Sequence, residues 1–199
     1  MNATSLPARC RSVAMWAGPL AIASVVLVIG AEVTSPGMLN PVGTAGAVAG
    51  LLAGVALVIG TVGLHVGRGA GDTVRRGDIP FLVMLAGGVL AAGGMWDMVF
   101  TLPVLAAHAP ALLEQAHPSV LAGFLLSYGT LGAGALAWTI SMRRQQRLTA
   151  ADARWLVAGS VVCFTPLPTR FFLLAVAVSI VAARADRQIT MHHPVRVEV

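Results

Sequence analysis

Residues 79–142 read IPFLVMLAGGVLAAGGMWDMVFTLPVLAAHAPALLEQAHPSVLAGFLLSYGTLGAGALAWTISM. Two long apolar stretches, 81–104 and 119–142, are joined by a loop, 105–118, that carries neither Lys nor Arg. A helix needs about 20 apolar residues to cross a bilayer, and each stretch supplies that length. The segment therefore predicts a pair of antiparallel membrane helices with an outward-facing connection. Asp97 lies within the first stretch, the only acidic residue well inside any apolar run. The second stretch carries Ser127, Tyr128 and Thr130, and the loop holds His108, Glu114 and His117.

Each stretch repeats small or polar residues along one helical face. Gly87, Ala91, Gly94, Asp97 and Thr101 recur at spacings of 4, 3, 3 and 4; Gly123, Ser127, Thr130, Gly134 and Ala137 recur at 4, 3, 4 and 3. Such spacings stack side chains on one side of an α-helix. Small-residue faces let membrane helices approach closely, so the two seams are expected to face each other or a shared interior. Asp97 is then expected in the packed seam, away from lipid.

The rest of the chain fits this reading. With 57% hydrophobic and 11% charged residues and a mean hydropathy of +0.82, little remains for a soluble catalytic domain. The net charge of +5 comes from 13 arginines without a lysine. They flank apolar segments instead of forming one patch, which argues for the positive-inside rule over nucleic-acid binding. The Arg-rich, lysine-free, Ala- and Gly-rich composition points to a GC-rich bacterial source and a cytoplasmic-membrane location. Cys10 and Cys163 lie in different segments, outside any CxxC, and are not expected to pair.

Residues 12–31 follow Arg9 and Arg11 and form an apolar run too long for an ordinary signal-peptide core, so an uncleaved first span with a cytoplasmic N-terminus is expected. Trp16 suits an interfacial anchor. The second span, 43–66, carries Gly46, Gly50 and Gly54, a doubled GxxxG; His65 at its inner end reads as an interfacial residue. Arg68, Arg75 and Arg76 mark an inner loop at 67–78, and Pro80 opens the third span in its first turn, where the missing N–H costs little. Thr149, with Asp152 three residues on, reads as a helix N-cap.

The final apolar region, 150–183, is broken by Thr165-Pro166-Leu167-Pro168-Thr169-Arg170. Two prolines so close break or kink a helix. The pieces 150–164 and 171–183 would each rise only ~20–23 Å at 1.5 Å per residue. Two short helices in a hairpin give six spans; one kinked helix gives five. Six spans put 12 arginines on one side against Arg170 on the other, so an all-α bundle of six helices is expected. The domain is expected to run from 1 to 187, followed by a loose tail, 188–199.

The Asp-containing third span, the Pro-rich outer loop (Leu102-Pro103, Ala109-Pro110), the Arg-rich turn and the Trp opening the next helix resemble those of small polytopic, largely uncharacterised integral membrane proteins of actinobacteria. That resemblance implies a membrane location and a helical bundle. It carries over no activity and no functional residue.

Asp97 lies 17 residues past Pro80, roughly 25 Å along a helix and thus in the outer quarter of a ~30 Å core. An intramembrane acid is a functional candidate by default; the alternative is a hydrated structural acid. Arg170 reaches a similar depth, and a direct or water-bridged Asp97–Arg170 contact is expected, with Tyr128 and the two loop histidines as competitors. Together Asp97, Arg170, Tyr128, His108, Glu114 and His117 form the expected polar cluster. His108, Glu114 and His117 are also weak metal-ligand candidates, and His192-His193 weaker still. Phosphate-cradle, dinucleotide and nucleophile-elbow motifs are missing, and no catalytic residue or cofactor is indicated.

Three functions follow. The first is a non-enzymatic accessory, regulatory or assembly protein, contacting the lipid bilayer and either another membrane protein or a second copy through its glycine seams. The second is a small oligomeric transporter or channel using Asp97. The third is an outward-facing membrane metalloenzyme.

Overall fold

The structure, a computed structural model, describes residues 5–34, 40–67, 75–109, 112, 118–165 and 170–192. Among the described residues there are six helical rods and no strand. They are α1 (Ser5–Thr34), α2 (Pro41–Gly67), α3 (Arg75–Trp96, prolonged by a π-helical turn, Asp97–Thr101, and by Leu102–His108), α4 (Pro118–Arg144), α5 (Ala150–Val162) and α6 (Arg170–His192). The expected all-α bundle is the fold. Four rods contain apolar segments long enough to cross a membrane: Ala8–Val33, Pro41–Gly67, Asp78–His108 and Pro118–Arg144.

Each helix packs on its neighbour in sequence, and α6 returns to α1 and also touches α2, closing a ring. Glycines set the close approaches. On α2, a Cβ at Gly46 would lie 2.9 Å from the Val28 side chain, and one at Gly60 would lie 2.5 Å from Ala14, both on α1. A Cβ at Gly50 would meet Ser24 Oγ at 2.8 Å, and one at Gly54 would meet Ala92 of α3 at 3.3 Å. The doubled GxxxG is therefore a wedge between α1 and α3 within the same chain. Serine hydroxyls add interhelical bonds: Ser24 Oγ donates to Gly46 O at 2.7 Å and Ser179 Oγ donates to Met15 O at 2.7 Å. In hydrocarbon such bonds satisfy groups that have no water to turn to.

Asn40 seats the start of α2, where its Oδ1 accepts the Gly43 N–H at 2.6 Å and its Nδ2 donates to Ala31 O at 3.3 Å. The side chain thus caps one helix and ties it to the end of the one before.

The last apolar region forms two helices side by side. Asp152 in the first turn of α5 pairs with Arg184 late in α6 at 3.2 Å, which requires antiparallel rods and rules out one kinked helix. Thr149 caps α5 as expected, its Oγ1 accepting the Asp152 N–H at 3.1 Å. The chain leaves α5 through tightened turns, with Cys163, Phe164 and Thr165 N–H groups bonded three residues back. This agrees with the bias of a residue preceding proline against continuing a helix. The last helix is longer than its apolar stretch implied. It runs 23 residues to His192, because neither Gly nor Pro stands between Arg184 and His192 to stop it. Residues 188–192, assigned to the tail from sequence, are helical.

Trp138, Phe171, Leu174, Val178 and Val181 are fully buried in the core. Cys10 and Cys163 are separate thiols. Arg9, Arg11, Arg143, Arg144, Arg154, Arg184 and Arg187 on the rods, and Arg147 in the turn between α4 and α5, lie toward one end of the bundle, while the backbone of Arg170 opens α6 at the other.

Candidate functional site

The expected seam between α3 and α4 exists, but only over the half nearer the arginines. Gly87 faces the backbone of Leu131, Gly134 faces the backbone of Met84, and a Cβ at either would collide with main chain. Ala91, one turn on, is still buried. Beyond it the rods part. Gly93 and Gly123 have no neighbour within 4 Å of a Cβ position, and the nearest atom to one at Gly94 is the Phe124 ring, 3.7 Å away. Asp97 and Thr101, expected in the packed seam, are exposed.

The parting leaves a groove of about 820 Å³. Trp96, Asp97 and Thr101 lie on one wall; Gly123, Ser127 and Tyr128 lie on the other. The α3 wall spans residues 89–105, roughly 24 Å at 1.5 Å per residue.

A change of helical register sets the α3 wall. Pro103 has no N–H, and its ring would strike the carbonyl four residues back. The helix accommodates it with one wider turn, Asp97–Thr101, closed by the Leu102 N–H bonding to Asp97 O, five residues back. Such π turns recur at functional sites. Here the turn carries the acid. Its Oδ1 accepts from Thr101 Oγ1 at 3.1 Å, and among the described residues no cation approaches it. Trp96 and Phe100, both exposed, contact each other across a centroid distance of 4.2 Å. On the far wall Ser127 Oγ donates to Gly123 O at 2.7 Å. The buried Tyr128 ring lies between Phe124 and Phe171, each 6.1 Å away.

Of the residues grouped from sequence, Asp97 and Tyr128 share this groove. His108 is exposed in the last turn of the α3 rod; the outer loop expected to begin at residue 105 starts later because the helix continues past Pro103. Glu114, His117 and His193 lie outside the described residues, as do the side chains of Arg170 and His192, so the expected Asp97–Arg170 contact does too. Among the described residues no three His, Cys, Asp or Glu side chains come together to hold a metal.

A second polar knot, at the arginine end, escaped the sequence reading. His65 of α2 stacks on Phe81 at 4.0 Å, accepts from Trp138 Nε1 at 3.2 Å and lies 3.2 Å from Asp78. An indole N–H only donates, so His65 Nδ1 is the acceptor and Nε2 carries the proton toward Asp78. The knot joins α2, α3 and α4 at one imidazole. Its sequence signal is a histidine at the end of an apolar run, which an interfacial residue also gives.

The rods and the groove define a multi-pass helical membrane protein with an acidic recess between two of its spans. Compared with known protein families, curated proteins and solved structures, the chain finds no match.

Proposed function

We propose that this is a non-enzymatic accessory or regulatory protein of a bacterial cytoplasmic membrane, its N-terminus in the cytoplasm, which works by binding within the α3–α4 groove. One contrast carries the reading. The glycines of the doubled GxxxG, with Gly87 and Gly134, are covered by helices of the same chain, while Gly93 and Gly123 face open space. Association through the glycine seams thus gives way to binding at the groove. Native mass spectrometry of protein extracted in mild detergent tests this. Wild type is expected to retain a stoichiometric extra mass. Gly123→Leu, whose Cβ meets nothing within 4 Å and whose side chain takes up groove space, is expected to lose it. A bare chain in both preparations refutes the proposal.

A small transporter using Asp97 is the second reading, favoured by the placement of the acid on a π turn inside the groove. A second polypeptide as the extra mass supports the accessory role. Movement of a bound small molecule across proteoliposomes that is lost in Asp97→Asn supports transport. Stoichiometric zinc in the purified protein would replace both with the metalloenzyme reading through His108, Glu114 and His117.

A further inference from the structure

We infer that the groove takes a lipophilic ammonium ion, a molecule with an apolar body and one cationic nitrogen, entering from the bilayer. The inference rests on the groove being the binding face and names the chemistry it selects.

Charge comes first. Among the described residues Asp97 is the only charged side chain lining the groove, and one hydroxyl, that of Thr101, is its described partner. A carboxylate at the edge of hydrocarbon is tolerated best when paired with a cation. Among the described residues no basic side chain lines the groove, so a phosphate or carboxylate head group would meet like charge at Asp97. Ser127, opposite, already donates to its own helix.

Trp96 then sets the kind of cation. It lines the same wall as the acid, is 54% exposed, and is backed by Phe100. An exposed indole face beside a carboxylate attracts a desolvated ammonium by its ring quadrupole.

The size suits a small amphiphile: the groove's 820 Å³ falls within the ~300–1,000 Å³ of ordinary ligand sites. The exposed Val89, Leu90 and Val120 at its rim are apolar, so the way in is lateral.

The test is equilibrium binding of radiolabelled dodecyltrimethylammonium, below its micellar concentration, to the full chain in nanodiscs of an uncharged glycolipid. Uptake by empty nanodiscs is subtracted. The expected result is saturable binding of one molecule per chain, which dodecyl maltoside does not displace. Asp97→Asn should bind roughly tenfold more weakly or worse, Asp97→Glu should recover most of the affinity, and Trp96→Ala should lose about threefold to tenfold. Should Asp97→Asn not fold, Trp96→Ala and Gly123→Leu decide, since both keep the carboxylate. Uptake equal to that of empty nanodiscs, or full affinity in the folded variants, overturns the inference. So does binding that emerges only in Arg170→Gln, which would show that the arginine holds the acid. An extra mass in native spectra without ammonium binding removes this chemistry alone; the absence of both removes the groove reading with it.

Discussion

His65 takes its partners from far along the chain, Asp78 13 residues away and Trp138 73 residues away. No local pattern in a sequence encodes such a junction, which is why it reads there only as an interfacial histidine. Trp138→Phe leaves part-buried His65 Nδ1 without its donor and also trims a fully buried ring, together costing about 2–4 kcal/mol. Thermal unfolding in detergent measures the loss, and the imidazole nitrogen NMR shifts report whether the tautomer is released. Asp97 was legible because an acid inside an apolar run is costly and stands out. Its setting was not: the seam spacing predicted a packed acid, whereas its single described bond is to Thr101 one turn on. Asp97→Asn is therefore expected to change stability by less than about 1 kcal/mol, measured in the same unfolding assay. A loss of several kcal/mol would show an internal partner and revive the structural role. The Asp152 carboxylate differs, since it is 5% exposed and faces an Arg184 that is 44% exposed. Removing Arg184 takes a cation from a buried carboxylate, and solvent at the guanidinium and the α5 N-terminus soften the effect. Arg184→Gln is expected to cost about 1–2 kcal/mol.

Among the elements, α2 was read most fully, because three glycines at four-residue spacing permit close approach whatever the neighbour. The sequence did not say that the neighbours are α1 and α3 of the same chain. Gly50→Leu would drive a branched side chain into Ser24 and Met95, and overpacking of this kind costs roughly 1–3 kcal/mol or more. Unchanged thermal stability in detergent would mean that this face looks onto lipid. The α3 rod taught the opposite lesson. Pro103 reads as the approach to a loop, since proline usually ends a helix, yet a register slip into a π turn relieves the clash and lets the helix run to His108. Helix or loop is decided there by whether the surroundings hold the slipped register, which composition does not record. The α5 start was legible because a cap is local: Thr149→Ala should lower stability by about 1 kcal/mol, with the loss read as a lower midpoint of thermal unfolding.

At the scale of the whole molecule, arginine placement predicted a six-helix path, and the antiparallel α5–α6 pair gathers the described arginine-bearing ends at one pole. If that pole is cytoplasmic, a cysteine placed at Arg75 in a background lacking Cys10 and Cys163 should resist membrane-impermeant reagents added from outside intact cells. Labelling from outside would invert the topology. Hydropathy and charge made the bundle legible because the bilayer imposes them on each span separately. The groove was hidden because it depends on where two rods stop touching, and identical small residues serve a closed seam and an open one. The central claim is that α3 and α4 meet backbone to backbone at Gly87 and Gly134 and part at Gly93 and Gly123. Its most direct test is the thermal unfolding of two single-methyl variants on the same helix. Gly123→Ala, with nothing to strike and about 0.5–1 kcal/mol of helix propensity to gain, should hold or raise stability. Gly134→Ala, pressed into the Met84 backbone, should lower it by several kcal/mol, on the order of a severe core lesion. Equal losses at both positions would mean that the seam is closed along its whole length and that there is no groove.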